Sequence, residues 1–314
     1  MRILITGGTG FIGSELLSVL IQKADYDLYS LERRHVKRSN QVENIERHRI
    51  KDGDITNTSE ITEIIREVQP EFVVHLAALS SVAGSYNNHL DYISTNLVGT
   101  INLAEACRKE VKNFKRMLFA SSLHVYKDTP GVLQTEDKTL EEPNSPYGIT
   151  KLAAEKYLLS LFRSYNFPVN ILRISNVYGR KKGFGYSIVE QLIIQMLENR
   201  IKLNLGSPEP VRDFLYISDV VEACIKLMKP NNVNPGQVLN ISTSKPTSVV
   251  ELADKIITST KFKSETNWNS NSIIPRAGDP KWLVADNTKA RLLLNWEPKV
   301  SLEEGIQKTV SKYI

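Results

Sequence analysis

The chain has 314 residues and a formal net charge of +5, with 41% hydrophobic and 24% charged residues. This composition is typical of a globular protein with a sizeable core, and it excludes a disordered or low-complexity chain. The positive charge is too small to indicate nucleic-acid binding, and no apolar run is long enough to span a membrane.

The start of the chain and its cysteines indicate the compartment. The apolar run at residues 3–5 is too short for the core of a secretory signal, so we expect a cytoplasmic protein. Cys107 and Cys224 both lie in apolar, helix-like segments. Their spacing matches neither a metal site nor a redox pair, so we expect two buried, reduced thiols and no metal.

Short β-rich runs alternate with amphipathic helical segments through the first half of the chain. The predicted strands cover residues 2–6, 27–31, 49–51, 72–75, 116–121 and 169–174. The predicted helices cover residues 12–24, 59–68, 90–110 and 148–165. Several strands are almost wholly apolar, as expected when both faces of a parallel sheet are buried. The alternation predicts an α/β fold with a doubly wound parallel sheet of the Rossmann type.

After residue 176 the pattern is less regular. Helical segments are predicted at residues 187–199, 218–228, 248–258 and 301–313, separated by loops rich in glycine and proline. A β-rich run at 238–242 is predicted to return to the main sheet. We therefore predict a dinucleotide-binding domain at 1–175, with a returning segment near 212–242, and a smaller mixed substrate-binding domain at 176–314.

A glycine motif follows the first predicted strand. Gly7, Gly10 and Gly13 stand where that strand turns into the first helix. Gly7 permits the sharp turn, Gly10 lets the backbone approach a diphosphate, and Gly13 lets the helix pack on the strand. The N–H groups at the helix start, at Phe11 and Ile12, then bind the phosphates. In this context the motif predicts a dinucleotide site.

The end of the second strand bears on the choice between NAD and NADP. A carboxylate there accepts hydrogen bonds from the adenosine ribose of NAD, whereas an arginine holds the 2′-phosphate of NADP. This chain has Glu32 followed by Arg33. We predict NAD, with NADP as the alternative that Arg33 supports. Asp54 and Ile55, after the third strand, are predicted to lie beside the adenine.

A tyrosine and a lysine stand at the start of a predicted helix. Ser145 can cap this helix and Pro146 suits its first position, so Tyr147 and Lys151 share one helical face. A nearby ammonium group and the positive nicotinamide ring both favour a phenolate, so we expect Lys151 and the cofactor together to lower the pKa of Tyr147 and make it a base near neutral pH. Ser122, at the end of the fifth strand, can hydrogen-bond the same substrate oxygen.

Together these residues resemble the extended branch of the short-chain dehydrogenase/reductase superfamily, and specifically its nucleotide-sugar epimerases and dehydratases. The resemblance covers nearly the whole chain. Besides the glycine and Tyr147–Lys151 motifs, the matching stretches are residues 75–78, 94–99, 121–126, 172–179, 211–219 and 276–280. It implies a nucleotide-diphosphate sugar as substrate. It also implies a homodimer in which residues 90–110 and 148–165 pair across a two-fold axis.

Carried over by position, the resemblance assigns roles to individual residues. Ser122, Tyr147 and Lys151 would form the catalytic triad. The residues implied to line the cofactor are Leu76, Ala77, Ala78 and Asn96. Those implied to hold the nucleotide diphosphate and its ribose are Asn176, Arg212, Arg276 and Asp279. Guanidinium groups suit phosphate oxygens, but an ion pair of Arg212 with Asp213 or Asp219, or a solvated Arg276, is the structural alternative.

The chain also departs from the family pattern. Sugar 4,6-dehydratases carry an acidic pair after the catalytic serine or threonine, and Leu123 and His124 stand there, which argues against a dehydratase. Galactose-type 4-epimerases often carry a lysine where this chain has Ser80. Residues 180–182, Arg-Lys-Lys, replace the usual proline after Gly179. An imidazole titrates in the range of an acid/base, but we favour a His124 packed in the loop wall.

These observations predict a nucleotide-sugar 4-epimerase that oxidises C4 transiently and reduces it again with a bound nicotinamide cofactor. One alternative is an NADPH-dependent reductase of 4-keto or 4-keto-6-deoxy sugar nucleotides, which would use the same triad. Another is a non-catalytic, dinucleotide-binding regulator, because a fold does not determine a function. The intact triad speaks against the regulator.

Overall fold

A computed structural model describes residues 1–23, 25–33, 48–180, 187–198, 202–229, 233–260, 265–268 and 278–313. In these residues the strands are β1 (Arg2–Thr6), β2 (Asp27–Glu32), β3 (His48–Asp52), β4 (Phe72–His75), β5 (Arg116–Ser122), β6 (Val169–Ile174), β7 (Asn176–Tyr178), β8 (Lys202–Asn204), β9 (Val211–Arg212), β10 (Phe214–Tyr216), β11 (Val238–Ile241), β12 (Thr247–Ser248), β13 (Glu265–Asn267) and β14 (Trp282–Leu283). The helices are α1 (Phe11–Ile21), α2 (Thr58–Val68), α3 (Val82–Asn87), α4 (His89–Tyr92), α5 (Gly99–Glu110), α6 (Pro146–Tyr165), α7 (Ile188–Leu197), α8 (Ile217–Met228), α9 (Val249–Thr260), α10 (Thr288–Leu294) and α11 (Leu302–Val310). None of these helices is both long and apolar enough to cross a membrane.

The central sheet has seven parallel strands in the order β11-β6-β5-β4-β1-β2-β3. The strand order reverses between β1 and β4, because β2 and β3 extend the sheet on one side of β1 and β4 to β6 extend it on the other. In such a sheet the crevice for a ligand lies at the carboxyl ends of the strands at the reversal. The predicted doubly wound α/β fold is thereby confirmed.

Each face of the sheet is covered by a separate apolar layer. Ile3 and Ile5 of β1 pack with α1 and α8 on one face, whereas Leu4 packs with α2, α5 and α6 on the other. This alternation is the two-residue period of a strand buried on both sides. Cys107 and Cys224 are free thiols buried in these two layers, as predicted.

The second half of the chain adds short strands around its own apolar cluster. β7 pairs with β10, β8 with β13, and β9 lies between β12 and β14. Around them, α7, α9 and α11 bury a cluster that includes Tyr178, Leu192 and Ile306. β11 joins the main sheet beside β6, as the sequence predicted for residues 238–242. The domain boundary at residue 175 stays a prediction.

The segment predicted as one helix at residues 90–110 is interrupted. Between α4 and α5, the residues Ile93–Val98 form a π-helix. A π-helical turn accommodates an extra residue and turns its side chains relative to a regular helix, and such turns occur frequently at functional sites. Here the turn contains Asn96, which is 1% exposed and faces the interior.

Helix α6 is held on the sheet by a buried ion pair. It begins as predicted, with the Ser145 hydroxyl accepting a hydrogen bond from Gly148 N at 3.1 Å and Pro146 in the first turn. Further along, Arg173 of β6 donates from Nε and Nη2 to the carboxylate of Glu155, over distances of 3.1 and 2.6 Å. Glu155 is fully buried and Arg173 is 1% exposed, so Glu155 depends on Arg173 for compensation, whereas Arg173 has Glu141 as a second, partly exposed partner.

We expect Glu155→Gln to lower the free energy of unfolding by about 3–5 kcal/mol, because it leaves the Arg173 guanidinium buried without its main counter-charge. Urea denaturation followed by circular dichroism measures the change. A double variant, Glu155→Met with Arg173→Met, should recover most of the loss, because apolar side chains of similar size avoid the unpaired charge. A double variant as unstable as Glu155→Gln would contradict this explanation.

Candidate functional site

The glycine loop between β1 and α1 has the form of a phosphate cradle. Gly7 has φ +72°, and a Cβ on it would lie 2.8 Å from Ala77 N, so a side chain is excluded. A Cβ on Gly13 would lie 2.2 Å from the carbonyl oxygen of Gly7, which allows α1 to pack directly on the loop. Gly10 is the N-cap of α1 and contributes no side-chain hydrogen bond to the helix start. The N–H groups of the first turn, at Phe11 and Ile12, therefore suit the diphosphate of a dinucleotide.

Glu32, at the end of β2, braces this loop. Its carboxylate accepts hydrogen bonds from Thr9 N at 2.9 Å and from the Thr9 hydroxyl at 2.7 Å. The side chain is 4% exposed, and burial raises its pKa. The sequence predicted that Glu32 binds the adenosine ribose. In the structure, its carboxylate holds Thr9 of the glycine loop. Arg33, the next residue, is exposed.

The two residues predicted beside the adenine lie at the loop after β3. Asp54 accepts hydrogen bonds from the backbone N and the hydroxyl of Thr56, at 2.9 and 2.8 Å, and this closes the turn. Ile55 is buried, and a Cβ on Gly99 would come within 2.7 Å of it. The segment is thus packed against the start of α5.

A chain of hydrogen bonds runs below the cofactor loops, through His75 at the end of β4. The Thr100 hydroxyl donates to the carbonyl of Asn96 at 2.6 Å, so it must accept from His75 Nε2 at 2.9 Å. Burial and the nearby Lys151 lower the pKa of His75 to about 3, so the ring is neutral. His75 Nδ1 is then the acceptor for the Thr6 hydroxyl at 2.6 Å.

This chain positions the segment that the sequence assigned to the cofactor. The Thr6 hydroxyl accepts from Ala77 N at 3.2 Å, which ties residues 76–78 to the end of β1. Leu76, Ala77 and Ala78 are half-buried beside the glycine loop. Asn96 holds the same segment from the other side, because its amide bonds both the N–H and the carbonyl of Leu79, at 2.8 and 3.0 Å. Asn96 is therefore a support of the cofactor loop.

Sequence reasoning missed Thr6, His75 and Thr100 as supports. The predicted strand end at residue 75 and the match at 75–78 were the available signals. A buried histidine at the carboxyl end of a strand must find partners for both ring nitrogens, but the sequence does not reveal which hydroxyls supply them.

The three predicted catalytic residues meet at the carboxyl end of β5. The Ser122 side chain lies close enough to the Tyr147 phenol to favour its ionised form. Lys151 Nζ donates to the carbonyl of Ala120 at 2.7 Å and lies 4.7 Å from the centre of the Phe119 ring. Tyr147 is 8% exposed, so the phenol lies in a largely dry setting.

Lys151 alone does not lower the pKa of Tyr147 in this arrangement. Burial raises the pKa of Tyr147 to about 12, Tyr92 raises it too, and the nearby Ser122 side chain opposes them. Burial lowers the pKa of Lys151 to about 8, against the influence of Glu155. The four-residue spacing gives a common face, but the ammonium is directed to the Ala120 carbonyl instead of the phenol.

Two aromatic rings flank Tyr147. The Tyr92 ring meets it edge-on with centroids 6.5 Å apart, and the imidazole of His124 does so at 5.9 Å. The His124 ring is thus packed against Tyr147, and its backbone N donates to the Ser122 hydroxyl at 3.3 Å. Leu123 is 1% exposed and packs in an apolar cluster with Tyr126.

The residues predicted to bind the nucleotide diphosphate lie on neighbouring short strands. Arg212 Nη2 donates to the Asp279 carboxylate at 3.0 Å, so its acidic partner is neither Asp213 nor Asp219. Asp213 is buried and accepts hydrogen bonds from Thr243 and Ser244 instead, and burial raises its pKa to about 6.

The other members of this group are placed as follows. Asn176 starts β7 and is half-buried, and its backbone N donates to the carbonyl of Asp213 at 2.9 Å. Gly278, beside Asp279, has φ +71°, and a Cβ on it would lie 2.6 Å from the carbonyl oxygen of Asn144. This brings Asp279 near the start of the catalytic helix. Arg276 lies outside the described residues.

Known proteins match this chain over nearly its full length. The family model described as GDP-mannose 4,6 dehydratase matches residues 4–309. The dTDP-D-glucose 4,6-dehydratase of Mus musculus is 32% identical over 323 residues, which cover 99% of this chain and 88% of that protein.

Solved structures agree as well. The UDP-glucose 4-epimerase of Thermotoga maritima, crystallised with UDP-glucose, matches with a TM-score of 0.89 and 32% identity over 99% of this chain and 98% of that one. The UDP-glucuronic acid 4-epimerase of Bacillus cereus, in complex with UDP-glucuronic acid and NAD, has a TM-score of 0.88 and 28% identity, with the same coverage. These matches confirm the predicted resemblance and enzyme class, and the second supports the prediction of NAD.

The raised pKa of Tyr147 predicts how the phenol titrates. In nucleotide-free protein we expect its ionisation near pH 12, so the neutral phenol is present at lower pH and the phenolate forms only as the pH rises. Ultraviolet difference absorbance between wild type and Tyr147→Phe isolates this ionisation. Ser122→Ala should shift it further upward, because the hydroxyl that favours the phenolate is lost. A Tyr147-dependent ionisation below about pH 10, the ordinary value for tyrosine, would refute this.

Proposed function

The chain belongs to the GDP-mannose 4,6-dehydratase family of the extended short-chain dehydrogenase/reductases, and on that premise we propose that it is an NAD-dependent nucleotide-sugar 4-epimerase. One observation carries the choice within the family. The position directly after the catalytic Ser122 holds Leu123, which is buried and apolar. A dehydratase needs a carboxyl pair after this serine to remove a proton from C5, and a leucine followed by a histidine supplies none.

The residues around C4 have the chemistry that an epimerase needs. Tyr147 takes the proton of the C4 hydroxyl and returns it, and Ser122 hydrogen-bonds the same oxygen. Lys151, held by Ala120, binds the nicotinamide ribose and contributes positive charge behind the phenol. When bound, NAD⁺ would supply a reversible hydride acceptor for C4, so that the hydride could return to the other face of a 4-keto sugar that has turned in the site. The cationic nicotinamide also opposes the burial that keeps Tyr147 protonated.

NAD fits the end of β2 better than NADP does. Glu32 holds Thr9 with both carboxylate oxygens, and a carboxylate at this strand end is the acceptor that suits a ribose hydroxyl of NAD. The negative charge of this carboxylate would repel a 2′-phosphate placed beside it. The exposed Arg33 is the observation that favours the alternative, an NADPH-dependent reductase of 4-keto-sugar nucleotides.

An isotope experiment tests the function. The protein is incubated with UDP-glucose, UDP-glucuronic acid, dTDP-glucose and GDP-mannose, each carrying deuterium at C4, without added reductant. We expect a 4-epimer of at least one sugar that retains the deuterium, because the hydride returns to the carbon that it left. Tyr147→Phe should abolish turnover and keep NAD⁺ binding. A product that has lost water would indicate a dehydratase, and a requirement for NADPH and a 4-keto sugar would indicate the reductase.

Arg212 is proposed to hold the nucleotide diphosphate. Its side chain is 8% exposed, and Asp279 and the carbonyl of Val211 fix its direction at 3.0 Å each. A guanidinium held in this way needs little further ordering to bind phosphate oxygens. Such remote binding energy would position C4 for reaction.

We expect Arg212→Ala to weaken the binding of UDP, or of whichever nucleoside diphosphate the wild type binds, by about tenfold or more, because a charge-assisted contact is lost. Calorimetric titration measures the affinity, and NAD⁺ binding should be unchanged. Arg291→Ala is the matched control, because Arg291 is exposed and pairs only with Glu297 among the ion pairs of the described residues. Unchanged nucleotide affinity together with a lower melting temperature would show that Arg212 has a structural role only.

A homodimer is proposed from an exposed apolar patch on two adjacent helical segments. On the first segment, Leu90 is 67% exposed, and Ile93 and Val98 are 41% exposed each. On α6, Ile149 is 55% exposed and Tyr165 is 60% exposed. A patch that extends across two neighbouring helices suits a two-fold helix-bundle interface.

We expect the wild type to sediment as a dimer and Leu90→Glu with Ile149→Glu to sediment as a monomer, because charges in the patch oppose its burial. Leu292→Glu is the control, since Leu292 is 78% exposed on α10, away from the patch. A wild type that stays monomeric at high concentration would contradict the dimer.

A further inference from the structure

The residue after Gly179 lies against the glycine loop. Arg180 Nη2 donates to the carbonyl of Thr9 at 3.4 Å, and its guanidinium lies 5.8 Å from the centre of the Phe11 ring. The two contacting segments are 171 positions apart in the sequence. Arg180 therefore brings a positive charge from the second half of the chain to the loop that is built to receive a diphosphate.

The backbone of Arg180 is held firmly in this place. One oxygen of the buried Glu190 accepts hydrogen bonds from Gly179 N at 2.7 Å and from Arg180 N at 3.1 Å. Gly179 has φ +114°, and a Cβ on it would lie 2.5 Å from the Tyr216 ring, so this corner requires glycine. Lys312 donates to the carbonyl of Gly179 from the other side, at 2.5 Å. Contacts within the protein thus fix the backbone position of Gly179 and Arg180.

The charges around the loop are arranged asymmetrically. Glu32 binds the N–H and the hydroxyl of Thr9, and Arg180 binds the carbonyl of the same residue. The carboxylate lies at the end of β2, where a ribose is expected, and the guanidinium lies 5.8 Å from the ring centre of Phe11, the first residue of α1. Its cation therefore lies at the same helix start as the N–H groups that suit phosphate oxygens.

We propose that Arg180 binds the diphosphate of the dinucleotide and closes the glycine loop from the side of the substrate-binding residues. It would add a charge-assisted contact to those of the α1 backbone. Because Gly179 and Arg180 directly follow β7, which starts at Asn176, the same segment would contact both the cofactor and the sugar nucleotide. The proposal needs only that the chain binds a dinucleotide. Its failure therefore shows in binding constants, whereas failure of the epimerase proposal shows in the products.

Binding of three probes to nucleotide-free protein tests this: NAD⁺, ADP-ribose and adenosine. We expect Arg180→Met to raise the Kd of NAD⁺ and ADP-ribose about tenfold or more and to leave that of adenosine unchanged. Arg180→Lys should give an intermediate loss, because it keeps a charge but loses the planar fork. The dependence of NAD⁺ binding on salt should also weaken in Arg180→Met.

Lys308→Met is the matched control. Lys308 is another cation of the second half of the chain, 5.8 Å from the ring centre of Tyr216, but it pairs with Glu304 on α11. Removing it should leave all three affinities unchanged. If Arg180→Met lowers the melting temperature, Arg180→Lys separates a structural role from a binding role. A larger loss of NAD⁺ affinity than of adenosine affinity in Arg180→Lys would support the proposal. An unchanged ratio of the two affinities in the Arg180 variants would overturn it.

Discussion

The position of helix α6, which carries Tyr147 and Lys151, depends on the buried contact between Arg173 and Glu155. Tyr147, Lys151 and Glu155 follow one another at intervals of four on α6, so fixing the last of them fixes the direction of the other two. Arg173 also contacts Glu141 and lies 4.7 Å from the ring centre of Tyr126, which binds Asn240 of β11. These contacts connect α6 to strands β6 and β11 of the main sheet, in addition to the packing of its apolar face.

Much of the fold could be predicted because its determinants are local. The apolar runs of β1, β4 and β6 identify strands buried on both faces, and Ser145 with Pro146 identifies the start of α6. Even the return of β11 to the sheet could be read from its composition. The helix α10 was missed because it spans Thr288–Leu294 only and has no side-chain cap. Several of the remaining strands have only two or three residues, too few for a period to show.

The sequence indicated the residues of the candidate site, but it indicated their contacts less well. The spacing of Tyr147 and Lys151 indicates a shared face, yet the sequence does not show that the ammonium reaches Ala120. Arg212 pairs with Asp279, which is 67 positions away, whereas the alternatives considered from the sequence were nearby acids. The π-helix around Asn96 was also missed, since one extra residue in a turn leaves the surrounding helical pattern almost unchanged. Contacts between distant segments depend on the folded topology, which a local pattern does not encode.

The hydrogen bonds through His75 have a fixed polarity. From Ala77 N the donors run through Thr6 to His75 Nδ1, and from His75 Nε2 they run through Thr100 to Asn96, so each hydroxyl accepts one hydrogen bond and donates another. A proton added to the ring would turn Nδ1 into a donor facing a donor and place a second cation near Lys151. Strong acid would therefore disturb residues 76–78 through their support, because burial and Lys151 lower the pKa of His75 to about 3. The hydrogen bonds that hold residues 76–78 in place therefore require a neutral imidazole at His75.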